Sequence, residues 1–324
     1  MALKVGVISA AHVHAPSFVS CFLAEESSEV VGVWDDNGER GSAFAEARGL
    51  SFFDDQASLL SQVDAVVICS ENLKHGDHVE AAAKAGVHIL CEKPIAATQA
   101  IANQIRSAVR GSDKVFMTAF PCPFSPTFSR MQKLIQGGEI GHVLALCTTN
   151  RGMCPFGWFT EPGLSGGGAM VDHVVHVGDL LRRLLGEDPI SVYAQVGSGM
   201  YGGEWEDTAK LTLGFPSGVF ATLDSSWSRP TGYKIWGDVT LKAIGEKGVL
   251  EADLFGQGVD KFASGHGIVG TGSNLDRAMV REFLDAVHEN RAPLCTLEDG
   301  IKASMIAEAG YRSLKEGKAV APAA

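Results

Sequence analysis

The residues with the clearest chemical potential are an aspartate and a histidine that follow three consecutive glycines. Asp172 and His176 stand four positions apart, just after the run at 166–168. On a helix this spacing puts both side chains on one face, so the carboxylate can orient the imidazole and raise its basicity. A histidine placed in this way can accept the proton that an alcohol loses on oxidation. The spacing points to proton transfer from a hydroxyl group, although surface pairs on helices share it.

A lysine in the first third of the chain offers a second reactive group. Lys93 stands between Glu92 and Pro94, directly after a buried apolar run. The carboxyl ends of parallel strands line the ligand crevice of open α/β sheets, so this lysine is expected in such a crevice. Its ammonium group would stabilise the alkoxide that develops on the substrate oxygen. Lys93, Asp172 and His176 are therefore the predicted catalytic residues.

The turn after the first predicted strand is a candidate dinucleotide site. Ser9, Ala11 and His14 occupy the three glycine positions of the G-x-G-x-x-G fingerprint. Serine and alanine are small enough for a pyrophosphate to approach, but His14 is bulky, and an ordinary βα turn explains the segment equally well. Asp35 follows the second strand, where an acid accepts from the adenosine ribose and repels a 2′-phosphate. Asp35 therefore favours NAD over NADP, although the nearby Arg40 keeps NADP open as an alternative.

Two patterns of elements must position these residues. Up to residue 120, apolar β-branched runs alternate with Ala-rich helical segments, which predicts a doubly wound parallel sheet, a Rossmann domain over residues 1–120. From 121 to 324, longer strands of alternating polarity predict an α+β domain with an open, mostly antiparallel sheet. Two late helices close the chain and can pack back on the first domain. The active site is expected in the cleft between the domains.

Several motifs in order resemble those of the glucose-fructose oxidoreductase, inositol dehydrogenase and MocA (Gfo/Idh/MocA) family. The E-K-P tripeptide of that family is matched at 92–94, and the stretch before it is matched by Asn72, His75, Ala82, Gly86 and His88. The segments 139–143, 166–176, 296–300 and 313–318 are similar to further motifs of the family. The resemblance covers almost the whole chain. It implies a nicotinamide-dependent oxidoreductase in which the matching Lys93, Asp172 and His176 are catalytic.

The predicted reaction is hydride transfer between a nicotinamide cofactor, NAD rather than NADP, and a secondary alcohol of a sugar, inositol or related polyol. The predicted cofactor-binding residues are Ser9, Ala11, His12, His14, Asp35, Ser70, Asn72, His75, Glu92 and Lys93. The predicted substrate-binding residues are Lys93, Arg151, Trp158, Asp172, His173 and His176. One alternative is an NAD-dependent glycosidase or lyase that oxidises its substrate transiently. The other, suggested by the glycine-poor turn, is a non-catalytic protein that senses NAD or another ligand.

The H-x-H pair in the same turn raises the question of a metal site. His12 and His14 could join Asp172, His173 and His176 around a metal ion. An H-x-H after a first strand also occurs in metal-dependent hydrolase barrels. Here the strand–helix alternation ends near residue 120, well short of eight units. The sequence therefore argues against a barrel, and we expect no metal.

Composition excludes several classes of partner. With 38 acidic and 27 basic residues the formal net charge is −11, and no Lys/Arg block offers the positive surface that nucleic acids or anionic membranes need. No apolar run approaches the ~18 residues of a membrane span. Seven scattered cysteines without a C-x-x-C indicate a reducing, cytoplasmic compartment. A broad apolar face on the second sheet, together with the resemblance, predicts a homodimer or homotetramer.

Overall fold

The computed structural model describes residues 2–233, 235–256, 258–262, 266–270 and 272–323. The chain forms two compact units. The first consists of residues 1–121 and 275–301, and the second consists of residues 122–274 and 302–324.

The first unit is built on six parallel strands. They are β1 (Leu3–Ile8), β2 (Ser28–Trp34), β3 (Ser51–Phe53), β4 (Ala65–Ile68), β5 (His88–Cys91) and β6 (Phe116–Thr118), in the spatial order β3-β2-β1-β4-β5-β6. The strand order reverses at β1, so the crevice beside β1 and β4 is the switch point at which such sheets bind ligands. This arrangement confirms the predicted Rossmann fold.

Helices connect these strands. They are α1 (Ala15–Leu23), α2 (Gly38–Glu46), α3 (Gln56–Leu60), α4 (His75–Ala85) and α5 (Gln99–Val109). Strand β4 is buried at every position, as expected when helices cover both faces of a parallel sheet. A late helix, α9 (Leu275–His288), packs against α1 in the same unit. There Ser17 Oγ donates to Asp276 over 2.5 Å, and Arg277 and Arg281 both bind Glu25.

The second unit is built on a mixed six-stranded sheet. Its strands are β7 (Val143–Gly152), β8 (Ser191–Gly197), β9 (Thr208–Gly214), β10 (Phe220–Ser226), β11 (Gly237–Gly245) and β12 (Val249–Asp253), in the order β12-β11-β7-β10-β9-β8. Only the β7–β10 pair is parallel among them, so the sheet is mostly antiparallel, as predicted. Other helices and strands of this unit are α6 (Pro126–Gln136), α7 (Pro162–Ser165), α8 (Ala169–Leu185) and the antiparallel pair β13 (Gly258–Phe262) and β14 (His266–Gly270). The last helix, α10 (Leu297–Glu316), begins in the first unit and belongs to the second from residue 302.

One face of this sheet carries helix α8 and the other is open. Apolar side chains on the open face include Tyr193, Phe220 and Val249, which are 40%, 52% and 50% exposed. Most of its centre is polar instead, with threonines, lysines and carboxylates around a groove of about 730 Å³. The expectation of a broad apolar face is therefore wrong. Alternation of polar and apolar residues indicates that a strand has one buried face, but it does not indicate that the second face is apolar.

Among the described residues, no helix combines the length and the apolar character that crossing a membrane requires.

Candidate active site

The turn between β1 and α1 keeps the backbone of a glycine turn without its glycines. Ser9 has φ +66°, in the left-handed region that glycine favours, and it occupies the first glycine position of the fingerprint. Its hydroxyl accepts from the Ala11 N–H and donates to Asp35 Oδ2, each over 3.2 Å. These two bonds hold the serine in a conformation that a side chain normally disfavours. The turn therefore fits a pyrophosphate at this position.

Helix α1 begins at this turn and presents its amino terminus there. His14 is the N-cap residue, and within the described residues its side chain makes no capping hydrogen bond. The first N–H groups of a helix need outside acceptors, and the helix dipole favours an anion there. However, Pro16 has no N–H, and the N–H groups of His14 and Ala15 already donate to His12, so the helix dipole is what favours an anion at this end.

Asp35 lies at the end of β2, as expected for a ribose acceptor, but its oxygens already have several donors. The carboxylate is 4% exposed and accepts from the backbone of Ala10 at 2.7 Å and of Asn37 at 2.8 Å. Arg40 binds it through two nitrogens, at 2.9 and 2.7 Å, and also binds Glu71 at 3.1 Å. Burial opposes the charge, but Arg40 and the backbone donors outweigh burial and lower the pKa of Asp35. Asp35 is therefore an anion held in place by its ion pair with Arg40 and by backbone donors.

Glu92 of the E-K-P tripeptide connects to the same turn through histidines. His14 Nδ1 lies 2.9 Å and His12 Nδ1 lies 3.3 Å from Glu92 Oε1, and Glu92 Oε2 accepts from the Lys93 N–H over 2.9 Å. Burial disfavours the Glu92 carboxylate, yet the charges of His12, His14 and Lys93 overcome it and set its pKa at about 2. Burial likewise lowers the pKa of His14, but the facing Glu92 more than compensates, and the net shift is upward. The pair is an anion facing a histidine that tends to be protonated.

The same three residues have the composition of a metal site. The ligand atoms of His12, His14 and Glu92 all lie within 4.8 Å of one another, and zinc accepts such a donor set. His12 Nδ1 also lies 3.2 Å from the backbone nitrogen of His14, and His14 Nδ1 lies 2.9 Å from Glu92 Oε1. These contacts would compete with a metal ion for the same nitrogen and oxygen atoms.

Ser70, Asn72 and His75 follow β4 and are almost fully buried, at 0%, 2% and 0% exposure. His75 Nδ1 lies 2.9 Å from the carbonyl oxygen of Pro94, which follows the cis Lys93–Pro94 peptide bond. Only a protonated Nδ1 can donate to a carbonyl, and burial lowers the pKa of His75, so the ring is neutral with its proton on Nδ1. The contact positions the backbone next to Lys93, which is itself 3% exposed.

In the second unit, two glycines of the run are explained by a side chain and a backbone carbonyl that occupy the space a Cβ would need. A Cβ on Gly167 would lie 1.9 Å from the Tyr311 hydroxyl, and one on Gly168 would lie 2.1 Å from the carbonyl oxygen of Glu206. Glu206 Oε1 accepts from the N–H of Gly168 at 2.8 Å, from the N–H of Met170 at 3.1 Å and from Tyr311 at 2.6 Å. Burial and the Glu206 charge raise the pKa of Tyr311. Glu206 and Tyr311 thus take the place of an N-cap for α8.

Helix α8 carries the predicted proton-transfer residues in a buried environment. Asp172, His173 and His176 are 7%, 6% and 8% exposed. Asp172 Oδ2 lies 3.2 Å from His173 Nε2 and accepts from Trp227 Nε1 over 3.1 Å. His176 stands one turn further along α8, with its Nδ1 4.0 Å from Cys122 Sγ. The carboxylate is therefore oriented by a histidine and an indole, a detail that the i, i+4 spacing does not reveal.

The two remaining predicted substrate residues have different locations. Trp158 stacks on Phe159 with ring centroids 3.9 Å apart and packs against the buried cluster that contains Trp227. Arg151 lines the open face of the sheet, where its guanidinium binds Asp238 at 2.9 Å.

Arg151 is therefore not part of the group around Asp172. Successive strand residues point to opposite faces of a sheet, and the next residue, Gly152, is the one that faces α8. A Cβ on Gly152 would lie 2.9 Å from the His173 ring. The substrate role of Arg151 therefore stays a prediction, for a side chain on the sheet face opposite to α8.

Sequence reasoning did not single out Tyr201, Trp205, Glu206 and Tyr311. The first three belong to the loop between β8 and β9, where a Gly-Gly pair precedes Glu-Trp-Glu-Asp. Aromatic and acidic residues close to paired glycines were a usable signal, because glycine there permits close packing of a ring. Tyr311 lies more than a hundred residues later in α10, and no local pattern connects it to Gly167.

Two family profiles match the chain in succession. Residues 3–120 match the profile described as "Oxidoreductase family, NAD-binding Rossmann fold", and residues 128–251 match the "GFO/IDH/MocA C-terminal domain". The chain belongs to the Gfo/Idh/MocA family. The predicted enzyme class, an oxidoreductase with an NAD-binding Rossmann domain, is thereby confirmed.

Individual relatives agree with this membership. The chain is 26% identical over 313 residues to the uncharacterized oxidoreductase YrbE of Bacillus subtilis, covering 90% of this chain and 89% of YrbE. It is 28% identical over 276 residues to myo-inositol 2-dehydrogenase of Thermotoga maritima, covering 80% and 79%. Its fold resembles that of GenD2 from gentamicin A biosynthesis, solved with NAD, at a TM-score of 0.90 and 24% identity over 100% of this chain and 97% of GenD2.

Proposed function

We propose that this Gfo/Idh/MocA protein oxidises a secondary alcohol of a sugar, inositol or related polyol reversibly, with NAD as the hydride acceptor. The observation that carries the proposal is the pairing of a pyrophosphate-type turn in the first unit with a buried Asp172–His176 helix face in the second. The inositol dehydrogenase among its relatives supports the choice of substrate class.

The residues of the first unit suit NAD. The turn from Ser9 to His14 and the uncapped start of α1 would hold the pyrophosphate, and Asp35 would accept from the adenosine ribose. A 2′-phosphate would have to approach the fixed Asp35 anion, although Arg40 beside it offers one positive charge. We therefore propose NAD in preference to NADP. When bound, the nicotinamide supplies a carbon that takes up or returns a hydride.

The proposed proton chemistry uses three residues of this chain. His176 removes the hydroxyl proton as general base, and Asp172 stabilises the imidazolium that forms. Lys93, in the first unit, is proposed to stabilise the negative charge that develops on the substrate as the proton leaves. His173, in contact with Asp172, and Trp158 are proposed to line the substrate site.

Cofactor titration followed by turnover tests this proposal. We expect NAD to bind the purified protein more tightly than NADP, and NADH to accumulate with at least one member of a panel of sugars and cyclic polyols. Lys93→Met and His176→Asn should each lower kcat by about 10² or more, the usual contribution of a positioned acid or base. The exposed Lys84→Met and His142→Asn provide matched controls and should leave kcat unchanged.

Each alternative reaction has its own signature in the same experiment. Product without net NADH indicates a glycosidase or lyase with transient oxidation, and ligand binding without turnover indicates a sensor. If neither nicotinamide cofactor binds below about millimolar concentration (ΔG near −4 kcal/mol), the proposed function fails.

We also propose that the protein assembles as a homodimer or homotetramer and works in a reducing, cytoplasmic compartment. None of the seven cysteines forms a disulfide. The open sheet face, with its three exposed apolar side chains and a polar groove, is the surface proposed to meet another copy. Light scattering of the purified protein measures the assembly state directly.

A further inference from the structure

Four aromatic rings of the second unit form a continuous strip from the surface to Asp172. The strip consists of Phe156, Tyr201, Trp205 and Trp227, with successive ring centroids 5.3, 5.8 and 5.3 Å apart. Phe156 is 52% and Tyr201 37% exposed, whereas Trp227 is fully buried and donates its indole N–H to Asp172. The strip therefore connects solvent to the carboxylate proposed to act in catalysis.

The loop that carries the middle of the strip is fixed by specific contacts. The Asp207 carboxylate accepts from the N–H groups of Met200 at 2.8 Å and Tyr201 at 3.0 Å. The Tyr201 hydroxyl donates to the carbonyl of Trp227 over 3.2 Å. A Cβ on Gly203 would lie 2.5 Å from the Trp205 indole, so this glycine lets the ring pack against the loop. The exposed ring of Tyr201 is thus held in place at both ends.

Phe156, at the outer end, has an unusual backbone. Its φ is +54° and its ψ is −160°, a combination that side chains rarely adopt. Residues held in such conformations cost energy and are concentrated at ligand-binding and active sites. A large apolar ring that is half exposed and strained contributes little to the core. Its position is better explained by a ligand that covers it.

We propose that the outer part of the strip, Phe156 and Tyr201, is a subsite for a second sugar ring, so that the preferred substrate is a glycoside and not a free monosaccharide or free inositol. This inference rests on the function proposed above. The ring to be oxidised would lie near Asp172, and the next ring would place the C–H groups of its apolar face on Tyr201 and Phe156. Aromatic side chains offer large, rigid apolar surfaces for this purpose, and the tyrosine adds a polar edge.

Steady-state kinetics on matched substrates tests the subsite. We compare kcat/KM for glucose, myo-inositol, an aryl glucoside and glucose disaccharides with the intact protein, with Phe156→Gly and with Tyr201→Ala. Glycine accepts the Phe156 backbone conformation, so Phe156→Gly removes the ring and relieves the strain. If Tyr201→Ala unfolds, Phe156→Gly alone decides. Phe255→Ala is the control, because Phe255 is an exposed phenylalanine of the same unit, at 39%, in the turn after β12 and outside the strip.

We expect the intact protein to prefer a two-ring substrate over the corresponding monosaccharide by at least about tenfold in kcat/KM. Each strip variant should raise KM for the two-ring substrate about tenfold with kcat little changed, since the lost contact is remote from the reacting atoms. Turnover of single-ring substrates should stay within about twofold, and Phe255→Ala should change the turnover of neither substrate class.

Other outcomes overturn the subsite in distinguishable ways. If free inositol or a monosaccharide is preferred, or if the variants affect both classes equally, the subsite is refuted while the proposed dehydrogenase function stands. If the strip variants instead dissociate an oligomer, as light scattering would show, the strip is a subunit contact. If no polyol of any size yields NADH, the proposed function fails and this inference fails with it.

Discussion

Removing the Glu206 carboxylate is expected to loosen the start of helix α8. Oε1 accepts from two helix N–H groups and from Tyr311, so Glu206→Ala leaves three donors without their acceptor. Loss of an N-cap costs about 1–2 kcal/mol, and a stranded buried donor adds about 1–3 kcal/mol. We expect a total loss of about 2–5 kcal/mol, a large fraction of the roughly 5–15 kcal/mol that stabilises a typical domain.

Graded variants separate the contributions to this anchor. Glu206→Gln keeps an acceptor oxygen and loses the charge, so a loss of about 1 kcal/mol is expected. Tyr311→Phe removes the hydrogen bond to this charged group, worth about 1.5–3 kcal/mol, together with the contacts of the hydroxyl to the N–H groups of Gly168 and Val171. The control is Glu204→Ala, an exposed carboxylate two positions earlier in the same loop, which should change stability by less than about 0.5 kcal/mol.

Urea unfolding gives these free energies of unfolding. Steady-state kinetics shows whether the contacts of Glu206 and Tyr311 with the start of α8 also affect kcat. The Asp172 N–H bonds to the carbonyl of Gly168 over 3.3 Å, so a displaced Gly168 moves the proposed catalytic carboxylate. The folded Tyr311→Phe variant should therefore lose kcat while its affinity for NAD, bound by the first unit, is unchanged. If Glu206→Ala is as stable and as active as Glu204→Ala, the reasoning about the α8 anchor is refuted.

Three further perturbations follow from the structure. Because Glu92 raises the pKa of His14, the imidazolium persists above pH 6.5 and is lost as the pH rises through the raised pKa. NAD affinity should fall over the same pH range. In a fluorescence titration, His14→Gln should bind NAD more weakly and with no dependence on pH in that range. Burial lowers the pKa of His78 to about 4. The free energy of unfolding should therefore decrease by up to about 3 kcal/mol as the pH falls from 6.5 to 4. Urea unfolding of His78→Asn should show a smaller decrease over the same range. Gly152→Ala would force a Cβ to 2.9 Å from the His173 ring, and we expect a loss of about 1–3 kcal/mol in thermal or urea unfolding together with reduced kcat. Unchanged values in any of these assays would contradict the corresponding contact.

Long periodic elements were predictable because burial on one or both faces imposes a visible pattern. The parallel strands of the first unit are continuous apolar runs, and α8 follows a glycine run with helical spacing. The three-residue strand β3 and the five-residue helix α3 were missed, since neither is long enough to show a period. The hairpin of β13 and β14 was missed as well, in a segment of mixed polarity.

At the site, residue identity was predictable and residue orientation was not. Spacing placed Asp172 and His176 on one helix face, but only the fold shows that Trp227, fifty-five positions later, donates to Asp172. The sequence likewise did not show which sheet face carries Arg151, since a shift of one position on a strand exchanges the two faces of the sheet. Contacts between residues distant in sequence, such as Tyr311 with Glu206, leave no local pattern.

The phosphate turn keeps the backbone conformation of the glycine fingerprint although the glycines themselves are absent. Glycine is favoured at its first position because the backbone there has positive φ, and Ser9 adopts that conformation at +66°. The strain of a non-glycine residue in this region is about 1–3 kcal/mol, and each neutral hydrogen bond returns about 0.5–1.5 kcal/mol. The three bonds of the Ser9 hydroxyl, to Ala11, Asp35 and Arg40, are therefore large enough together to offset the strain. Ser9→Ala would remove these bonds and keep the backbone strain, whereas Ser9→Gly would remove the bonds and the strain together. If the backbone conformation is what binding requires, the glycine variant should retain NAD affinity and the alanine variant should lose it.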